Sequence, residues 1–413
     1  MISLDLDFVR AQFPVFSHPE SASWAHLENA GGSYVPDHVI SLLQDFFVAS
    51  KVQPYWEFGP SAKAGEAMDR SLELLPATFN ANKGQVHFGP STSQNTYVLA
   101  QALRPNWNVG DEIIVTNQDH EANIGVWRRL EMTGINVIEW GVDPETGLLD
   151  ISEVRNLIND KTRLLAVTHA SNLAATINPI SELAEMVHSV DGVLVTDGVS
   201  FAPHAAVDVK ELGCDVYLYS TYKTFGPHVG LMFTSDAILE RVTNQGHFFN
   251  SEKPTALLTP AGPDHAAIAA CAGMIDYYDD IFRHHFPGSS EVTLRERITK
   301  VFELFGQHEQ RLMTPLVDYI ISQDDFRLIG SRSSDHNVRA PTVAFHSHSR
   351  SSEEIYSALV KAGVSCGHGN FYAHRLVEAV GLDPEDGVVR LSLVHYNTNE
   401  EVDKALNALD DIG

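Results

Sequence analysis

A strand-like run, Val216-Tyr217-Leu218-Tyr219-Ser220, delivers Thr221, Tyr222 and Lys223 to its end, and a Gly226-Pro227 turn leads into a second apolar run ending at Phe233. A lysine held at a strand end beside hydroxyl groups can condense with an aldehyde cofactor, because burial there favours the free amine over the ammonium. Upstream, Asp197 closes the run Val193-Leu194-Val195-Thr196 and is followed by Gly198. That placement suits a carboxylate paired with the ring nitrogen of an electron-sink cofactor. Earlier still, Gly89-Pro90-Ser91-Thr92-Ser93-Gln94-Asn95-Thr96 lies between a strand and an apolar helix, so its amides and hydroxyls would offer a positive helix end to a phosphate. Taken singly, each has an ordinary alternative: a turn lysine, a strand-end Asp-Gly turn, a helix cap. Their combination points to Schiff-base chemistry.

The elements that must position these residues are legible. Glu112-Ile113-Ile114-Val115-Thr116, Leu164-Leu165-Ala166-Val167-Thr168 and Val193 to Asp197 read as buried parallel strands. Polar loops and helical patterns follow them, as in Ile180 to Val187 after the Asn178-Pro179 break. The alternation predicts an α/β fold with a covered, mainly parallel sheet, whose ligand lies beyond the carboxyl ends of the strands. From about residue 290 the pattern changes. A long charged helix is predicted from Glu291 to about Ser322, and strand-like pieces at Thr342 to Phe345 and Val388 to Leu393 predict a smaller α+β domain. The expected division is a large domain over 17–288 and a small one from 1–16 and 289–413. No repeat, low-complexity tract or linker separates them, so close packing is expected.

The chain has 413 residues and a formal net charge of −26, from 28 Lys+Arg against 54 Asp+Glu, which disfavours nucleic acid and anionic membrane partners. Cys214, Cys271 and Cys366 are too few and scattered for a disulfide framework or a zinc site, and no metal site is read. The acidic N-terminus MISLDLDFVRAQFPVF does not resemble a signal peptide, and no apolar run is long enough to span a bilayer. A cytoplasmic protein is expected.

In order along the chain, Leu27-Glu28-Asn29-Ala30-Gly31-Gly32, the phosphate loop, Asp119-His120-Glu121-Ala122-Asn123-Ile124, Thr168-His169-Ala170-Ser171-Asn172, Thr196 to Ser200, Ser220 to Lys223 and Arg390-Leu391-Ser392 resemble the pyridoxal-phosphate enzymes of fold type I. The resemblance is to class V aminotransferases of the cysteine desulfurase type and runs from about Trp24 to the C-terminus. It implies pyridoxal 5'-phosphate as cofactor, Lys223 as the Schiff-base lysine and proton-moving base, and Asp197 as the pyridine-nitrogen partner. His120 would stack on the ring and relay protons. Thr92, Ser93, Ser220 and Tyr222 would contact the phosphate, Tyr222 standing where many relatives have histidine. Ser200 would approach the phenolic oxygen, where a glutamine is usual. Asn172 would lie beside the ring and help place the substrate, near Ala30 and Gly31. Arg390, whose planar fork matches a carboxylate, would hold the substrate's α-carboxylate. A homodimer with active sites at the subunit interface is implied as well.

Two departures qualify the resemblance. The desulfurase run Gly-His-His-Cys falls on Gly367-His368-Gly369-Asn370, which puts asparagine at the nucleophile, while Cys366 lies four residues earlier as a candidate core residue. Gly262, in Pro260-Ala261-Gly262-Pro263, stands where relatives place a threonine that reaches the neighbouring subunit's cofactor. The expected function is a lyase acting by β-elimination, including C–S cleavage, or an aminotransferase on a small L-amino acid. The alternatives are a true desulfurase using Cys366, an epimerase, or a non-catalytic protein that keeps the fold.

Overall fold

The computed structural model describes residues 2–289 and 291–412. In chain order the strands are β1 (Ala25–His26), β2 (Val86–Gly89), β3 (Glu112–Thr116), β4 (Asn136–Trp140), β5 (Thr162–Thr168), β6 (Val193–Asp197) and β7 (Val216–Ser220). They continue with β8 (Gly230–Thr234), β9 (Phe326–Leu328), β10 (Thr342–Ser347), β11 (Val364–Ser365), β12 (Gly367–Gly369) and β13 (Val388–Ser392).

A seven-stranded sheet has the order β2-β8-β7-β6-β5-β3-β4. From β7 to β4 the strands are parallel, whereas β8 is antiparallel to both β7 and β2. Two reversals cancel, so β2 points the same way as the parallel set. The carboxyl ends of β2, β3, β5, β6 and β7 therefore share one edge, where the loops to Thr92, His120, Asn172, Asp197 and Lys223 begin.

Alternation along these strands divides the interior into two cores. Ile113, Val115, Leu164, Ala166, Val193 and Val195 face one side, covered by Leu99, Ile124 and Trp127 from the helices Thr92–Leu103 and Glu121–Arg128. Ile114, Leu165, Val167 and Leu194 face the other, against Leu183 of the helix Ile180–His188 and Met274 and Tyr278 of Ala272–His285. A sheet buried on both faces explains why its strands carry unbroken apolar runs.

The C-terminal part is a four-stranded antiparallel sheet, β12-β13-β10-β9, beside the helix Leu294–Ser322. That helix starts three residues later than the charge pattern predicts. Thr293 caps it and the Glu296 carboxylate accepts from Thr293 N–H, so Glu291 and Val292 lie outside. The N-terminal helix Leu6–Ala11 leads to Phe13, whose ring packs edge-on against Tyr277, Phe225 and Tyr396. No described helix is long and apolar enough to cross a membrane.

Candidate active site

At the shared strand edge lies a cavity of about 190 Å³ lined by Thr92, Ser93, His120, Asn172, Asp197, Ser200, Ser220, Tyr222 and Lys223, together with Ser91, Thr168 and His228. The nine residues singled out in the sequence as cofactor contacts thus meet in one place. Ser91 caps the helix that begins at Thr92, its Oγ accepting from Gln94 N–H at 3.2 Å, and this helix start lines the cavity. Thr92 Oγ1 and Ser220 Oγ are 2.7 Å apart, joining the helix start to the end of β7. The close approach requires glycine at 230. A Cβ there would lie 2.4 Å from the Ser91 carbonyl carbon and 2.6 Å from Thr92 N.

Lys223 is buried, and that burial, aided by the nearby Arg390 charge, lowers its pKa to about 8. Burial acts oppositely on Asp197, raising its carboxyl to about 6 although Val199 N–H donates to Oδ1 at 2.9 Å. Gly198 allows the turn below it, because a Cβ would sit 2.0 Å from the ring of Tyr217. The Tyr217 hydroxyl and His169 Nδ1 are 2.9 Å apart, and His169 stacks on Phe201 at 3.7 Å, which packs the floor beneath Asp197.

His120 caps the helix Glu121–Arg128, with Nδ1 accepting from Ala122 N–H at 3.0 Å. Its proton therefore sits on Nε2. Burial and the charges of Lys223 and Arg390 drop its pKa to about 4, so the ring is neutral at pH 7. Asp119, wholly buried and raised to about 7, anchors this loop by accepting from Thr116 Oγ1 and from Asn123 Nδ2 at 2.7 Å.

Arg390, on β13, lies beyond the cavity lining. Its Nη1 points at the Asn172 carbonyl at 3.4 Å, Nη2 donates to Glu28 Oε1 at 2.5 Å, and its guanidinium stacks 3.9 Å from the centre of the Phe371 ring. Asn172 Nδ2 donates to the Phe371 carbonyl at 2.9 Å. Ala30 and Gly31 follow Glu28, but their N–H groups are used internally, by Ser392 Oγ at 2.8 Å and the Glu28 carbonyl at 3.2 Å.

Glu28, Phe371, Tyr372 and Gly230 were not singled out by sequence. Phe371 and Tyr372 have left-handed backbones, φ 49° and 61°, and Tyr372 hands its carbonyl to Glu121 N–H at 2.8 Å while its ring lies 5.2 Å from that of His120. An acidic residue next to the Asn29-Ala30-Gly31-Gly32 turn was the available signal for Glu28.

The sequence matches the family model for Aminotransferase class-V over residues 25–253 and 299–405. The chain belongs to the class V aminotransferase family. It is 35% identical to the Aminotransferase-like protein FGM3 of Gibberella zeae, covering 99% of this chain and 98% of that one. To the Cysteine desulfurase-like protein ustD of Aspergillus flavus it is 31% identical over 99% of this chain and 91% of the relative. In fold it is similar to the cysteine desulfurase CsdA of Escherichia coli, with TM-score 0.80 at 22% identity, covering 98% of each chain. The cysteine desulfurase of Thermococcus onnurineus gives 0.85 at 20% identity, covering 100% of this chain and 99% of that one.

This member of the class V aminotransferase family is a pyridoxal-phosphate-dependent enzyme of fold type I. The residues present suit that cofactor. The cavity offers an amine of lowered pKa, a helix N-terminus with three hydroxyls for a phosphate, and a buried carboxylate for a ring nitrogen. Asn172 Oδ1 is also buried there without a partner. Cys366 stands elsewhere, in the core of the C-terminal sheet among Leu27, Val364 and Leu391, with its thiol pushed up to about 12 by burial and the Glu28 charge. Gly262 lies on the rim of a second hollow with Phe88, Tyr97 and Leu258, and a Cβ there would meet open space.

Proposed function

We propose that the enzyme removes the Cα proton of a small L-amino acid and carries the product on to β-elimination or transamination, without a protein persulfide. The observation that carries this reading is a low-pKa Lys223 in one cavity with Asp197, with Arg390 beyond the lining and bonded to the carbonyl of Asn172, which lines it. Bound pyridoxal phosphate supplies the electron sink for charge developing at Cα. Lys223 would hold the aldehyde carbon and, once released, act as the base, a role its lowered pKa favours at neutral pH. Asp197 would face the ring nitrogen, whose positive charge keeps the carboxylate ionised. His120, neutral with its proton on Nε2, would cover the ring and donate a hydrogen bond rather than take a proton. Thr92, Ser93, Ser220 and Tyr222 would hold the phosphate, with Tyr222 steadied by its 4.5 Å stack on His228, and Ser200 would approach the phenolic oxygen. Asn172 and Arg390 would orient the substrate carboxylate.

Against persulfide chemistry stand Asn370 at the nucleophile position, its Nδ2 donating to the Pro384 carbonyl at 3.1 Å, and the inert, core-packed Cys366. A homodimer goes with this reading, supported by exposed Phe47 and Val48 in the last turn of the helix Asp37–Ala49 and exposed Tyr55 and Trp56 in the stretch that follows it. A cytoplasmic setting fits three free, buried cysteines. The test is to mix holoenzyme with a panel of amino acids and identify products. Pyruvate with ammonia marks elimination and a keto acid with the aminated cofactor marks transamination. Alanine and sulfide from cysteine, lost in Cys366→Ala, would overturn the proposal.

A further inference from the structure

Arg390 is paired with Glu28, 362 positions away, a residue with no part in the chemistry above. The loop that carries Glu28 is fixed by its backbone. Leu27 N–H donates to the Ser365 carbonyl at 2.8 Å and Ser392 N–H to the Leu27 carbonyl at 2.7 Å, and Glu28 bridges Ser392 directly. Asn29 Nδ2 adds bonds to the Ser392 carbonyl at 2.9 Å and to Asn397 Oδ1 at 3.1 Å. Ser392 and Arg390 are two residues apart on β13, so their side chains share a face and the Glu28 carboxylate is set down beside the guanidinium.

The pair is incompletely satisfied. Arg390 Nε and Glu28 Oε2 are both buried without a hydrogen-bond partner, so the two groups meet through one oxygen and one nitrogen instead of the two-pronged match that guanidinium and carboxylate can form. They also differ in freedom. The Arg390 side chain is 3% exposed and pinned under Phe371, whereas that of Glu28 is 25% exposed. An incoming carboxylate could use Nε and Nη2 together, but Nη2 is occupied, and two carboxylates on one guanidinium repel.

Resting on the reading of Arg390 as the carboxylate seat, we propose that Glu28 is a built-in competitor for that seat, which the substrate's carboxylate displaces toward solvent on binding. Glu28 then sets how tightly the seat holds a carboxylate. A ligand with a full carboxylate replaces the bond it breaks and gains the second prong. A neutral ligand cannot open the pair and meets a masked arginine. The residue lowers the affinity for carboxylates by the work of opening the pair and leaves ligands that do not engage Arg390 unaffected.

The experiment measures calorimetric binding of propionate and of propionamide to the holoenzyme, neither of which has an amino group to react. Glu28→Gln is expected to bind propionate at least about tenfold more tightly than wild type, with propionamide unchanged. Glu28→Asp, which keeps the charge but is one methylene shorter, is expected to move the same way, and it serves if the glutamine variant does not fold. Arg390→Ala should remove the preference for propionate in either background. Equal or weaker propionate binding in Glu28→Gln, still dependent on Arg390, overturns the competitor while leaving the seat intact. Propionate binding that is absent from both forms, or indifferent to Arg390→Ala, shows that the seat itself lies elsewhere, and both readings fall.

Discussion

Lys223 offers the sharpest quantitative test. An ordinary lysine at 10.5 is neutral in about one molecule in three thousand at pH 7, whereas one at about 8 is neutral in about a tenth of them. Burial thus gives this amine roughly a 300-fold advantage in attacking an aldehyde. The assay is stopped-flow mixing of apoprotein with pyridoxal phosphate at a series of pH values, following the visible band of the Schiff base. The rate should climb about tenfold per pH unit and level off near pH 8. Two substitutions test the cause. Arg390→Gln removes a repelling cation, so the plateau should move to higher pH, and Asp197→Asn removes an attracting carboxylate, so it should move to lower pH. Stability of the apoprotein should follow the same shift. Between about 8 and 10.5 the unfolded lysine holds a proton that the folded one has lost, so stability rises as pH rises through that window. A rate that keeps climbing to pH 10, or a plateau that Arg390→Gln leaves alone, would refute the reasoning.

Cys366→Ala should leave turnover unchanged, and the wild-type thiol, pushed to about 12, should resist iodoacetamide at pH 8 until the protein is unfolded. Rapid alkylation of the native protein, or lost activity in the variant, counts against that. Gly230→Ala forces a methyl group against the Ser91 and Thr92 backbone, which should cost about 1–3 kcal/mol as overpacking and weaken cofactor binding. A variant with the parent's melting temperature and cofactor affinity would show that the helix start is free to move.

How much of this could be read in the sequence depended on the range of the determining contact. β3 and β6 match the predicted runs and β5 begins two residues earlier, at Thr162, because strands buried on both faces write their burial directly into composition. Lys223, Asp197 and the phosphate loop were legible for a related reason, each ending or following a strand whose carboxyl end reaches the same edge, whereas His120, Asn172 and Ser200 were reached through the family resemblance. β1, β11 and β12 were not read, since two or three residues carry no period and each is held by a distant partner. Glu28 was missed for the same cause, its partner lying on β13. The left-handed turn at Phe371 and Tyr372 gave no glycine as a marker.

The insertion of β8 between β2 and β7 has a consequence for how the enzyme comes to life. β2, which leads into the phosphate-binding helix, joins the sheet only through β8, a strand made more than 130 residues later. With Gly230–Thr234 out of place, β2 has no ladder partner in the sheet, and the helix start at Thr92 is tied to the end of β7 by side-chain contacts such as Thr92–Ser220 without the ladder beneath them. Cofactor capture therefore favours the closed sheet over any form in which β8 is out of place. Once made, it draws the folding equilibrium toward the native state by mass action, so that cells short of the cofactor would accumulate less of the folded protein as well as less active protein.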